Sequence, residues 1–318
     1  MALGALTGLR QIAPETLAQA ALVVPLLVLL GVAGERFAGL DAISEPVRAF
    51  LFPDEIIYAE DFRDQLVYGA VRAKLFTSEP SHVAKAFVLA LLVWYVCSIA
   101  FCRIPVAYGL LAAAVLLVKS PGILMVLPAI WATDLCRMRN SRWLVLLLFG
   151  GVIAVAAAIL ASQALFPDRL SHIASGRDSS FIIRATLPLE ILGRVWTDHP
   201  LFGLGFGAKE SSIPCALAVG QEMKLDLNTP LGNNGLFIGM IQIGLVGSML
   251  FAVALVCFWR FACGPYWPCA TIALLGYLTL IGGINDPRFW GGFALITAAC
   301  AAAARREMAE ALQQRGRR

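Results

Sequence analysis

Apolar residues in this chain come in continuous runs, at 17–34, about 83–102, 105–119, 121–136, 143–165, 234–260, 266–284 and 289–304. A bilayer core takes about 20 residues of helix, and unbroken runs exclude the alternating strands of a barrel. If each run crosses once, the pattern predicts an all-α, polytopic membrane bundle of about eight spans. It forms a single integral membrane domain over residues 1–318, with two long polar loops at 35–82 and 166–233. The pair 105–119 and 121–136 is short and split at KSPG (119–122), where a re-entrant hairpin is the competing reading. The first run is a first span, an uncleaved signal anchor or a cleaved signal peptide, and each option puts the start of the chain on the cytoplasmic side.

Composition agrees with the pattern. Of 318 residues, 59% are hydrophobic and 14% charged, and the mean hydropathy of +0.77 excludes an ordinary soluble globule. The net charge of +4 matters through its distribution. With eight crossings, Arg103, the group Arg137, Arg139 and Arg142, Arg260, and the tail with Arg305, Arg306, Arg315, Arg317 and Arg318 all fall on one side; Lys119 and Arg288 fall on the other. The positive-inside rule then makes both termini cytoplasmic and both long loops external, which for a bacterial inner membrane is the periplasm. The eight cysteines lie mostly in or beside apolar runs, so they are not a disulfide framework, and His82, His172 and His199 have no metal-ligand spacing. No nucleic-acid partner is expected; the bilayer is.

The first loop carries five Lys/Arg and nine Asp/Glu. Within it, IIYAEDFRDQLVYGAV (56–71) puts Ile57, Tyr58, Phe62, Leu66 and Val67 near one helical stripe, opposite Glu60, Asp61 and Asp64. That fits a helix lying on the membrane surface or a loop helix packed on the bundle, equally well. The loop ends RAKLFTSEPSHVAKAF (72–87), with Ser81 a plausible helix N-cap. Glu79 stands next to hydrocarbon, where a carboxylate must meet an arginine or have a raised pKa; the plainer reading is a capping carboxylate.

The second loop holds Arg169, Arg177, Arg184, Arg194, Lys209 and Lys224 against seven acids, so salt bridging is the default role for its cations. Arg184 and Arg194, ten residues apart in an amphipathic stretch, come roughly to one helix face. A guanidinium beside a membrane suits a lipid-linked phosphate, because its planar fork takes two oxygens and keeps its charge. GLGFG (203–207) lacks the strand and the Lys-Ser/Thr of a nucleotide loop, and its glycines suit a tight turn and close backbone approach. Asn233 and Asn234 precede a span, where N-capping is the default.

Arg184 with the helix after it, HPLFGLGFG (199–207) and NNGLFIGMIQIGLVG (233–247) together resemble the hallmark segment of the O-antigen ligase and O-antigen polymerase family. RAKLFTSEPSHVA (72–84) is similar to the Arg-to-Glu-Pro-Ser stretch that many polymerase-like members carry before a span. The likeness covers most of residues 72–260. Members characteristically place ten residues between a histidine and a glycine, and Asn233 and Gly244 keep that spacing. Asn233 in the histidine position cannot be a general base at neutral pH. Members usually have more spans, so the chain looks as if it lacks an N-terminal portion.

The resemblance implies a membrane glycosyltransferase that takes a glycan from an undecaprenyl-diphosphate carrier to a glycan or lipid acceptor at the periplasmic face, with no cofactor, nucleotide or metal. Arg72, Arg184 and Arg177 are expected on the diphosphate, Glu79 as the base and Asn233 as an orienter of the acceptor. His199, Asn234 and Gly244 are expected to orient the acceptor or to be structural. The Glu-Pro-Ser stretch and the missing histidine favour a polymerase over a ligase. A non-catalytic lipid-glycan transporter or an inactive relative is the reading from a different class.

Overall fold

A computed structural model describes residues 12–53, 57, 64–65, 71–99, 102–137, 175, 181–205, 209–223, 234–281 and 286–317. Among them regular structure is helical throughout, with no strand. Helix α1 (Pro14–Phe37) is followed by α2 (Asp41–Leu51), α3 (Pro80–Cys97) and α4 (Arg103–Val118). A 3-10 turn at Pro121–Val126 leads into α5 (Leu127–Arg137), and a π turn at Ile182–Thr186 leads into α6 (Leu187–Asp198). Then come α7 (Lys209–Glu222), α8 (Gly235–Cys263), α9 (Trp267–Leu278) and α10 (Pro287–Gly316). Three helical stretches, Pro14–Phe37, Pro80–Cys97 and Gly235–Leu278, are long and apolar enough to cross a membrane, and Arg103–Val118 is apolar but shorter. The predicted span at 143–165 and nearly all of the 56–71 segment lie outside the described residues.

The helices run between two polar ends. At one end Arg306 Nη1 donates to the Cys97 carbonyl at 2.6 Å and faces Glu15 at 4.0 Å. Arg103 pairs with Asp134 at 2.8 Å, and Asp134 also accepts from the Tyr95 hydroxyl at 2.7 Å. Arg137 donates to the Val96 carbonyl at 2.6 Å and to the Tyr266 hydroxyl at 3.0 Å. These contacts join the start of α1 and α4, the ends of α3 and α5, and the turn between α8 and α9. Arg103, Arg137 and Arg306 therefore share one end of the bundle, as their one-sided distribution in the sequence predicts. At the far end of α1, Arg36 donates to the Leu116 carbonyl at 3.1 Å. Helix α4 therefore runs from the Arg103 end of the bundle to the level of Arg36 before α5 returns.

The α3 span is 72% buried, against 33% for α1 and 17% for the α8–α9 stretch, so among the described helices α3 is the central post and the other two leave most of their apolar surface outside the bundle. Leu27 and Leu30 of α1 and Met249, Leu250 and Val253 of α8 are exposed, which costs nothing when the solvent is hydrocarbon. Lipid tails are as apolar as leucine, so the bundle is held by close packing and by buried polar bonds. One is the bond from Trp259 Nε1 to Thr297 Oγ1 at 3.0 Å, which ties α8 to α10.

A second, smaller core sits beside the first half of α8. Leu187, Ile191 and Val195 recur every four residues along α6 and bury one face with Leu192. They pack on Ala216 and Val219 of α7 and on Ile241 of α8. The loop that the sequence leaves between two apolar runs is therefore folded onto the first half of α8.

Candidate functional site

Helix α8 begins as the sequence pattern predicts, with Asn234 as its N-cap: Asn234 Oδ1 accepts from the Phe237 N–H at 3.4 Å. The other end of the same amide does something else. Asn234 Nδ2 donates to the carbonyl oxygen of Arg184 at 2.7 Å. That carbonyl is available for a local reason. In an α-helix it would accept from the N–H four residues on, but that residue is Pro188, which has no N–H and whose ring crowds the same carbonyl. The backbone widens into the π turn at Ile182–Thr186, and the buried Asn234 fills the vacancy.

The glycines of the two segments interlock. Helix α8 is broken at Gly244, where φ is 65° and ψ is −169°. The backbone groups freed by the break bond to the turn after α6: Leu204 N to Ile241 O at 3.0 Å, Gly205 N to Gln242 O at 2.9 Å, Leu245 N to Pro200 O at 3.1 Å, and Val246 N to Leu201 O at 3.0 Å. Irregular backbone in a membrane helix is tolerated where neighbouring chain satisfies it in this way. The approach leaves no space for a side chain. A Cβ on Gly203 would lie 2.6 Å from Gly244 N, and one on Gly244 would lie 2.5 Å from Leu201 O. Gly203, with φ of 63°, thus makes the close backbone approach the sequence predicts. His199, exposed at the end of α6, turns the chain through its backbone: its N–H donates to Val195 O at 2.6 Å and its carbonyl accepts from Gly203 N at 3.1 Å.

Across from Arg184 stands the start of α3. The N-cap here is Glu79, not Ser81 as the sequence suggests, because Pro80 takes the first helical position. Ser81 instead donates its hydroxyl to Glu79 Oε2 at 2.7 Å. Burial works to raise the Glu79 pKa, but the Ser81 bond and the charges of neighbours that include Lys85 and Arg184 outweigh it, and the pKa is lowered. Of the two expectations for this carboxylate, a raised pKa is not met, and Arg184 is among the cations whose charge lowers it.

The structure adds residues that the motif reading passed over. Arg288 Nη1 lies 2.7 Å from His82 Nε2. A guanidinium only donates, so Nε2 is the acceptor and the neutral ring carries its proton on Nδ1, 3.4 Å from Ser78 Oγ. Arg288 also pairs with Asp286 at 2.7 Å, and Asp286 caps α10. Lys85, one turn farther along α3 than His82, is within electrostatic reach of Arg184, Arg288, Glu79 and Asp286. An ionisable residue inside an apolar run is a signal in its own right, and Lys85 falls inside the run at 83–102. The link between Arg288 and His82 spans 206 residues and has no local signature.

Arg72 and Arg194 are occupied elsewhere. Arg72 makes a two-point pair with Asp64, Nη2 to Oδ1 at 2.9 Å and Nε to Oδ2 at 3.0 Å, and the Asp64 side chain is fully buried. It lines a polar cavity of about 580 Å³ with Glu35, Arg36, Arg48 and Lys74. Arg194 pairs with Glu222 at the surface. Asn233 and Arg177 lie outside the described residues. Below the cluster, an apolar cavity of about 300 Å³ begins at Gly235 and continues between α8 and α9 past Gly239, Phe251 and Leu274.

A family model described as WcaD colanic acid polymerase matches residues 11–300 of the chain. No curated protein matches it.

Proposed function

We propose, because the chain belongs to the WcaD colanic acid polymerase family, that it joins glycan repeat units carried on undecaprenyl diphosphate at the periplasmic face of the inner membrane. Membership makes it a polysaccharide repeat-unit polymerase, an enzyme of the glycosyltransferase type. The donor, the face and the residues are the proposed part. In the reaction, a hydroxyl oxygen of the acceptor glycan attacks the anomeric carbon of the donor. The bond from that carbon to the phosphate oxygen breaks, and the lipid diphosphate leaves with the electron pair. The sugar-diphosphate bond already stores the energy, so the protein must steady the departing negative charge and orient the acceptor.

The observation that carries this reading is that Asn234, the cap of α8, holds the Arg184 backbone, with Arg184 among the cations that keep Glu79 ionised. Arg184 is assigned to the departing diphosphate, and so, from the sequence, is Arg177. Arg72, committed to Asp64, is at most a second-line contact. Glu79, ionised at neutral pH, is assigned the hydroxyl proton, and Asn233 the acceptor. The apolar cavity lined by Gly235, Gly239, Phe251 and Leu274 is assigned to the isoprenoid. The grouping of Arg103, Arg137 and Arg306 at the other end of the bundle supports putting this cluster on the periplasmic side.

The test is reconstitution of the full chain in liposomes with a lipid-diphosphate-linked repeat unit. A ladder of lengthening glycans is expected. A single transfer to a lipid acceptor without a ladder would make the chain a ligase, and no transfer by correctly folded protein would overturn the reading.

A further inference from the structure

Lys85 is an ammonium ion with no counterpart. Its side chain is on the central helix, it is 6% exposed, and among the described residues its Nζ has no hydrogen-bond partner. The carboxylates near it are engaged. Glu79 Oε2 takes the Ser81 hydroxyl, while Asp286 takes the N–H, Nε and Nη2 of Arg288. The other facing groups, Arg184 and Arg288, are cations that repel it. A buried cation in such a place is costly unless an anion completes it. The N-termini of α3, α8 and α10 also gather here, since Gly235 N donates to Ile281 O at 2.8 Å and Arg288 reaches His82 at 2.7 Å. The positive ends of their helix dipoles add to the field.

We propose that Lys85, with Arg184 and Arg288, forms an anion pocket at the head of α3 that takes a phosphate group of the lipid-linked donor. Lys85 supplies a compact charge from below, and the two guanidinium groups flank it. The proposal rests on the polymerase reading and extends it to residues that the family-like segments do not contain. It also gives the donor two kinds of contact: a lysine within the span, reached only by a group that enters the pocket, and arginines at its rim. Arg288 is held toward this pocket by His82 and Asp286, so His82 is a positioning residue and not a proton carrier.

The test uses the full chain purified in detergent and separately in phosphatidylcholine nanodiscs, with inorganic pyrophosphate and geranyl diphosphate as probes. Both probes are expected to raise the unfolding temperature of the unsubstituted chain, and sodium chloride is expected to diminish the effect. Lys85→Met is expected to weaken probe binding at least tenfold while leaving the probe-free unfolding temperature unchanged or higher, because the substitution removes an unpaired buried charge. Lys85→Arg, which keeps the charge, is expected to retain part of the binding. A Lys85→Met protein that binds both probes as the unsubstituted chain does overturns the proposal. So does a Lys85→Met protein that is less stable without probe and recovers on Lys85→Leu, because that marks a packing role. A response to phosphatidylglycerol nanodiscs and to neither probe overturns it as well, making the pocket a site for bilayer headgroups. If the probes bind through Lys85 but the reconstituted chain makes no polymer, the pocket stands and the polymerase reading falls. If Lys85→Met polymerises normally, the reverse holds.

Discussion

Asn234 holds Arg184 by its backbone, with the side-chain amide donating to the carbonyl at 2.7 Å across 50 residues of sequence. One amide therefore serves two masters, since its oxygen caps α8 while its nitrogen anchors the π turn. The two duties separate by substitution. Asn234→Asp keeps the cap but presents an oxygen to the Arg184 carbonyl, whereas Asn234→Ala loses both. Asn234→Asp is expected to cost about 1–3 kcal/mol through a buried carbonyl left unsatisfied and to lower polymer output roughly tenfold or more. Polymer output and unfolding temperature measured together check this; an Asn234→Asp chain that keeps both would show the amide to be a cap alone.

The side chain of Arg184 makes a separate prediction. A guanidinium fork and an ammonium differ at a diphosphate far more than at a carboxylate. Arg184→Lys is expected to fail almost as badly as Arg184→Ala, with loss of at least about tenfold in transfer, corresponding to one charge-assisted hydrogen bond of roughly 1.5–3 kcal/mol. Glycan length on gels, at matched protein level, reads it. Near-normal chains from Arg184→Lys would take the residue out of the site.

Glu79 carries a pH dependence with a definite sign. Its pKa is lowered from the ordinary 4.5 by Ser81 and the surrounding cations, against the opposing effect of burial. The carboxylate is therefore charged throughout the neutral range, and its stabilising contribution is complete above 4.5 and lost only as pH falls through the lower folded value. Transfer should show no acid limb between pH 5 and 7 from this group. Glu79→Gln is expected to cost about 10²- to 10⁴-fold in transfer if the carboxylate takes the acceptor proton. Normal output from Glu79→Gln would reduce it to a structural cap.

Gly244 and Gly203 are fixed by shape. Both have positive φ, and each would put a Cβ into the other segment's backbone. Gly244→Ala and Gly203→Ala are each expected to destabilise by roughly 2–5 kcal/mol, from left-handed strain and overpacking together. Yield and unfolding temperature measure it, and combining the two should not restore either.

Topology is checked with reporter fusions after Arg142 and after Lys224, which should give opposite signals for cytoplasmic and periplasmic placement. Equal signals would overturn the eight-span count and with it the periplasmic assignment of the site.

The sequence shows the start of α8 and the capping asparagine, because helix starts and apolar runs are local patterns. It does not show the break at Gly244, since GMIQIGLVG reads as uninterrupted apolar helix and the groups that satisfy the break come from 200–205. Lys85 is visible as a charge in an apolar run, but its lack of a partner is a property of packing. Arg72 illustrates the converse: its motif is local and points to the diphosphate, whereas its bidentate attachment to Asp64 appears only in three dimensions.

The turn at 199–205 and the cap at Asn234 fasten α6 to the first half of α8 at both ends, so the two segments form a closed frame with arms of fixed length. One residue added to or removed from either arm shifts everything beyond it by about 1.5 Å and turns it by about 100°. Arg184 would then face away from Glu79 while both fasteners fell out of step. Length between residues 184 and 203, and between 234 and 244, is therefore a stricter requirement than identity at most positions within those arms, and the stretch from 206 to 233 is where insertions in relatives are expected to collect.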